Sequence, residues 1–340
     1  MKKFFYFLVF LGWCVVFQYG NAGPVRDSNS AFSERKEEEG EITKKQIGWF
    51  THRPVKDNPA EQLAYARGLE SAGKLRQARH QYDALVRKWH GSAEAAEAQL
   101  RYATLLEETG YYEDAFSEYE YLEKYFPGTF DFDKIFQRQL AIAKHVMESR
   151  YGGFLIFPGS KGTYRALPMF KKLFELAPYS PYAPEILFNT GLIHEENGDY
   201  REAIEVYEKI LRNYAESEFS EKASFRRVYC LMKIFQKKPR DEVNSREVAS
   251  AGAEYLARYP DGLNAKEVKG YLDKAKKHIE NMDFEKAVFY EKHDSNNPRS
   301  AIIAYNEFIR KYPYSPLAEK AFERIKVLEG KQREKESVQR

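Results

Sequence analysis

Gly198-Asp199-Tyr200-Arg201-Glu202-Ala203-Ile204-Glu205-Val206-Tyr207-Glu208-Lys209-Ile210-Leu211-Arg212-Asn213-Tyr214 opens on a glycine turn and runs into a segment of helical period. Ala203, Tyr207, Ile210 and Tyr214 fall at offsets 0, +4, +7 and +11 and trace one face of an α-helix. An alanine at the head of such a stripe implies a neighbouring helix that crosses too closely for a larger side chain. The phrase recurs along the chain. Ala78 is followed by Tyr82, Leu85 and Trp89, and Ala115 by Tyr119, Leu122, Phe126 and Pro127. Ala166 is followed by Phe170, Leu173 and Pro178, and Ala301 by Tyr305, Phe308, Tyr312 and Pro313.

Working outward, Gly73, Gly110 and Gly198 each precede their alanine by five residues, where a first helix would end in the left-handed conformation. Twelve residues before those anchors stand Ala66, Ala103 and Gly191, the small residues of that first helix. Helix, glycine turn, helix and a Pro or Ser stop is the tetratricopeptide unit. The anchors leave gaps of 37, 51, 37 and 98 residues, and the last gap holds a weaker unit with Val248 in the alanine slot, then Tyr255, Tyr259 and Pro260. The expected fold is therefore an all-α tetratricopeptide-repeat α-solenoid of about six helix-turn-helix units over residues 59–330, two of them carrying inserted loops. One such unit cannot bury its own apolar stripe, so stacking closes the core and is expected to leave a groove lined by the first helices. The groove candidates are Arg67, Glu70, Thr104, Glu107, Glu108, Leu192, Glu195 and Glu196, a mixed polar set that suits a peptide or protein segment.

The flanks read differently. Lys2 and Lys3, an apolar run over 4–17 and small residues Gly20 and Ala22 form a secretory signal over 1–22, cleaved after Ala22. Leu11-Gly12-Trp13 precedes Cys14, and the bulky Trp13 stands where lipoprotein processing needs a small residue, which argues against lipidation of Cys14. Residues 23–58, rich in Ser, Glu, Lys and Asn, read as a disordered leader, and 331–340 as a polar tail. The signal over 1–22 implies export. Cys230 sits in an apolar helical stretch, where a lone cysteine behaves as a small core residue. The formal charge of +3 falls to +1 without Lys2 and Lys3, which excludes a global field for nucleic acid.

No catalytic, metal-binding or cofactor-binding constellation emerges, and the chain is not expected to be an enzyme. Gly159-Ser160-Lys161-Gly162-Thr163 lacks the spacing and the preceding strand of a phosphate loop and reads as an inter-repeat loop. His194-Glu195-Glu196 lacks the second histidine of a zinc-binding helix and reads as a satisfied core histidine beside acidic groups. Basic residues interleaved with aromatics could suggest single-stranded nucleic acid, but those aromatics stand at core offsets.

Three further stretches, in this order, resemble the BamD-type (competence-lipoprotein-like) outer-membrane β-barrel assembly factors. The first is the insertion beginning Tyr151-Gly152-Gly153-Phe154 and ending at Gly162. The second is Pro239-Arg240-Asp241 followed by Ser245-Arg246-Glu247. The third is Phe284-Glu285-Lys286-Ala287-Val288-Phe289-Tyr290-Glu291-Lys292, then Pro298-Arg299-Ser300-Ala301-Ile302 and Lys311-Tyr312-Pro313. The chain departs from the family in its missing lipidation motif, its long leader and the Asp294-Ser295-Asn296-Asn297 insertion. The resemblance implies a periplasmic scaffold peripheral to the inner face of the outer membrane. It would dock on the periplasmic domains of the barrel-inserting protein through its last repeats and receive unfolded outer-membrane proteins through its first. With helix geometry, it makes Arg299, Asn306, Glu307, Arg310 and Lys311 the partner-binding candidates. The alternative is an adaptor of another cell-envelope complex, related to peptidoglycan or division.

Overall fold

The computed structural model describes residues 53–151, 160–293 and 298–338. The expected signal, Cys14 and residues 23–52 of the leader lie outside the described residues. In chain order the elements are α1 (Pro59–Ser71), α2 (Leu75–Lys88), α3 (Ala93–Glu108), α4 (Tyr112–Tyr125), α5 (Phe132–Glu148), β1 (Arg150–Tyr151), β2 (Ser160–Lys161), α6 (Thr163–Leu176), α7 (Ala183–Asn197), α8 (Tyr200–Asn213), α9 (Phe219–Lys237), α10 (Glu242–Arg258), α11 (Ala265–His293), α12 (Arg299–Lys311) and α13 (Pro316–Val338). The chain divides into two compact bodies, Met1–Ile142 and Ala143–Arg340. No helix among the described residues is long and apolar enough to cross a membrane.

The six helix pairs follow the repeat. Ala78, Ala115, Ala166, Ala203, Val248 and Ala301 are all fully buried, and so are Tyr82, Tyr119, Phe170, Tyr207 and Tyr305 four positions on. The turns explain the glycines. Gly73, Gly110 and Gly198 have φ of 70°, 81° and 84°, a region that L side chains resist. Each turn closes with two backbone hydrogen bonds, as in Gly198 N–H to Glu195 O and Asp199 N–H to His194 O at 3.0 and 2.9 Å. The second helices stop at one place, +11 from the anchor: Trp89, Phe126, Ala177, Tyr214, Tyr259 and Tyr312 each leave the helix and donate N–H to the +7 carbonyl. Phe126, Ala177, Tyr259 and Tyr312 precede proline, which disfavours helical backbone in the residue before it, while Trp89 and Tyr214 take the same conformation without one.

Three features depart from an even array. In α10 the +4 position is Gly252, where an added Cβ would stand 3.4 Å from Leu272 Cβ, and the buried tyrosine moves to +7 as Tyr255. The phosphate-loop-like stretch becomes one leg of a two-residue antiparallel ladder, Arg150 opposite Lys161 and Tyr151 opposite Ser160, with Gly162 as the N-cap of α6. Finally α11 is a single helix of 29 residues, about 44 Å long. Its Val268 and Ala275 join the core built by α7–α10, while Ala287 joins a separate core with Tyr305, Phe308, Ala321, Ile325 and Leu328. α13 covers that second core and continues in helix to Val338, into the stretch expected as a tail.

The stripe gives a direct check of register. Ala203 is fully buried at a helix crossing and Glu205 is exposed. Ala203→Phe should therefore overpack the core and lower stability by about 1–3 kcal/mol, whereas Glu205→Ala should stay within about 0.5 kcal/mol. Chemical denaturation of both variants measures the contrast, and equal shifts would contradict the register.

Candidate functional site

The groove candidates from the first helices resolve into two kinds. Glu70, Glu107 and Glu195 belong to a clamp that ties a helix pair to the helix that follows it. A fourth copy uses Glu291. The buried tyrosine of the second helix donates its hydroxyl to the carboxylate: Tyr82 to Glu70 at 2.6 Å, Tyr119 to Glu107 at 2.8 Å, Tyr207 to Glu195 at 3.2 Å and Tyr305 to Glu291 at 2.7 Å. An arginine of the following helix pairs with the same carboxylate: Arg101 with Glu70, Arg138 with Glu107, Arg226 with Glu195 and Arg324 with Glu291. Glu and Tyr stand 12 residues apart in the first three copies and 14 in the last, and Glu and Arg 31 and then 33. The third unit has Phe170 in the tyrosine slot and hence no hydroxyl to give.

Burial decides how each clamp is charged. Burial opposes ionisation of Glu70, yet the hydrogen bonds from Arg101 and Tyr82 outweigh it and hold the carboxyl below its usual range. Glu291 is lowered chiefly by Arg324. Glu195, with its side chain only 7% exposed, is the exception: burial outweighs Arg226 and raises it. The tyrosine hydroxyls are raised by burial first, with the facing carboxylates adding to it, so they remain donors. Arg101, Arg226 and Arg324 each bond both oxygens of a carboxylate that also accepts a phenol, and Arg138 bonds one, a geometric lock between successive helices.

The remaining candidates sit as follows. Thr104 is buried with Oγ1 3.3 Å from Tyr119 Oη. Arg67 is exposed and pairs with Glu97 of the next first helix, and Glu108 is exposed. Leu192, Glu195 and Glu196 come together in a hollow of about 500 Å³ in the second body, with Met147, Ile193, Tyr200, Arg226 and Tyr229. His194 is half-buried, not a satisfied core group: burial lowers its pKa and its Nδ1 is enclosed without a hydrogen-bond partner. Cys230 is buried, and burial together with Glu195 pushes its thiol far up, so it behaves as packing.

On α12 the expected inward stripe of Ala301, Tyr305 and Phe308 is buried, and Arg299, Asn306, Glu307, Arg310 and Lys311 are exposed. Ile303 is 53% exposed and shares a face with Arg299, Asn306, Glu307 and Arg310 by helical spacing. Glu307 and Lys311 line a second hollow of about 550 Å³ with Arg246, Lys286, Tyr290 and Ile303. Lys311 is held within the fold: its Nζ lies 2.6 Å from Asp283, whose carboxyl is kept low against burial by that contact and by Tyr312. Asn306 donates back to Ile302 O at 2.9 Å.

Sequence reasoning missed the clamp arginines. The signal was present as Glu, Tyr 12 residues on and Arg 31 residues on, but it joins three helices and is invisible to a search along one face. Among the described residues no group of three or more His, Cys, Asp or Glu is placed to hold a metal.

Residues 63–128 match the tetratricopeptide-repeat family model, and residues 182–336 match the model of the YfiO family, described as an outer membrane lipoprotein. By fold, the chain is a tetratricopeptide-repeat protein. No curated protein matches it by sequence. Among solved structures it is similar to YrrB, described as a tetratricopeptide-repeat protein with an unusual peptide-binding site, at 15% identity and a TM-score of 0.32 over 63% of this chain and 92% of that one. A tetratricopeptide-repeat protein from Parabacteroides merdae is similar at 14% identity and a TM-score of 0.30, over 79% of this chain and 98% of that one. PilF of Pseudomonas aeruginosa is similar at 15% identity and a TM-score of 0.28, over 77% and 95%.

Proposed function

We propose that this repeat protein is a periplasmic scaffold of the machinery that assembles outer-membrane β-barrels, docking on the periplasmic domains of the barrel-inserting protein. The observation that carries the reading is the α12 face. Exposed Ile303 is flanked by Arg299 and Arg310 above an open hollow, within the segment 182–336 that matches the outer membrane lipoprotein family. Arginine around an exposed apolar residue is a common interface anchor, because its planar fork binds carboxylates bidentately. Lys311 serves differently from the others in the patch. Its bond to Asp283 braces α12 against α11, which keeps the face rigid. Unfolded barrel proteins are a second class of client for the earlier repeats.

Arg299→Glu with Arg310→Glu should weaken capture of the barrel-inserting partner's periplasmic domains by at least tenfold and leave the helical circular dichroism unchanged, since both side chains lie off the buried stripe. Undiminished capture by the folded double variant would remove α12 as the interface. Affinity purification from envelope membranes addresses the wider reading. Co-elution of a peptidoglycan or division complex without the barrel inserter would replace it with the adaptor alternative.

A further inference from the structure

We propose that Glu123 of α4 and Gln139 of α5 form a proton-operated latch in the first body. With the acid protonated the two side chains close a doubly hydrogen-bonded pair, and ionisation frees the start of α5 from the second repeat. The repeat itself marks position 123 as exceptional. Eight residues beyond the anchor stand Val86, Phe174, Leu211, Leu256 and Ile309 in the other five units, and Glu123 in the second. An acid in a slot that is otherwise apolar needs a partner, and Gln139 supplies one. Gln139 follows the clamp residue Arg138, so the stretch of α5 that grips Glu107 also reaches Glu123.

Counting donors and acceptors shows what is missing. Gln139 is 1% exposed and donates Nε2–H to Glu123 Oε2 at 3.4 Å. Glu123 Oε1 and Gln139 Oε1 are both enclosed without a hydrogen-bond partner. A carboxylate oxygen and an amide oxygen only accept, so neither can satisfy the other. One proton on Glu123 Oε1 changes this. It can be donated to Gln139 Oε1 while the existing bond stays, and no buried charge remains. The surroundings favour that proton. Burial pushes the Glu123 carboxyl up to about 7, the bond from Gln139 offsets part of the rise, and Glu120, one turn back on α4, adds to it. Among the described residues no cation acts on Glu123. Arg101 of α3 is held by Glu70, and Lys134 and Arg138 of α5 are held by Asp131 and Glu107. A carboxyl whose folded pKa lies above its unfolded one stabilises the fold in full at acid pH. That contribution is lost as pH rises through about 7.

Hydrogen exchange of the full chain, read by mass spectrometry, tests the latch. Wild type and Glu123→Gln are compared at one pH at a time, so that intrinsic exchange rates cancel. The amide introduced at 123 can keep both hydrogen bonds at every pH. Peptides from the start of α5, residues 132–142, should exchange faster in wild type, by a ratio that grows about tenfold or more from pH 5 to pH 8. Peptides of α12 and α13 should show no such change. Glu123→Leu restores the apolar slot of the other units but strands the buried Gln139 amide, so its α5 peptides should exchange faster than those of Glu123→Gln at both pH values. Carbon-13 NMR of the glutamate carboxyls gives a second readout, a resonance that titrates near neutral pH and is missing from both variants. A ratio flat with pH, no such resonance, or protection in Glu123→Leu equal to or better than in Glu123→Gln would overturn the proposal.

Discussion

Arg226→Met is expected to lower stability by about 3–5 kcal/mol at pH 8, far more than removal of any exposed arginine. The reason lies in what is left behind. The Glu195 side chain is 7% exposed and already raised by burial even with its arginine present. Without the guanidinium it keeps the Tyr207 hydroxyl and the weak contact of Cys230 Sγ at 3.8 Å, neither of which carries a compensating charge. The pH dependence follows with a definite sign. A carboxyl whose folded pKa lies above its unfolded one prefers to fold protonated, so its contribution worsens as pH rises between the two. The deficit of Arg226→Met should therefore be largest at pH 8 and shrink toward pH 5. Arg226→Met with Glu195→Leu should recover most of it at pH 8, because no buried charge remains. Denaturation midpoints of the single and double variants at pH 5 and 8 measure this, and a pH-independent deficit would mean that lost packing, not charge, dominates. Arg67→Met is the control. Its pair with Glu97 is 55% and 42% exposed, and the midpoint should hardly move.

Tyr207→Ala should cost about 3–5 kcal/mol by emptying a fully enclosed site. Gly191 turns this into a sharper experiment. A Cβ on Gly191 would lie 2.4 Å from Tyr207 Cε1, so the tyrosine ring occupies the space that a side chain at 191 would need. Gly191→Leu alone should thus be destabilising by overpacking, about 1–3 kcal/mol. In the Tyr207→Ala background the same leucine has a cavity to fill and should raise stability. The effect of one substitution changes sign with its neighbour, which additive behaviour cannot produce. If Gly191→Leu destabilises both backgrounds equally, the ring does not sit against α7 as described.

These two experiments bear on different parts of what was legible beforehand. The small slots were readable in the sequence. Gly191 and Ala203 stood at fixed distances in a repeating phrase, and a phrase along one helix face is a local property. The Tyr207 position was readable as core, but its hydroxyl's partner was not. Glu195 is a groove candidate in the sequence because it stands on the first helix of its unit. In the structure it is buried, accepting from Tyr207 and covered by Arg226 of the next first helix.

Period and punctuation in the residue order alone therefore determined the helix pairs, the glycine turns, the buried stripe and the stop at each +11 position. Each of these depends on residues within about a dozen of one another, and on backbone preferences of glycine and proline that hold in any surroundings. Tertiary structure decided the rest. Whether Glu195 binds a ligand or an arginine depends on how far one helix is rotated against another, and 31 residues of sequence separate the two groups. The run 265–293 holds no proline, and its one glycine, Gly270, has open space around its Cβ position, so no local signal says which of two cores the helix serves. Packing alone lets its first turns complete the core of α7–α10 and its last turns begin another.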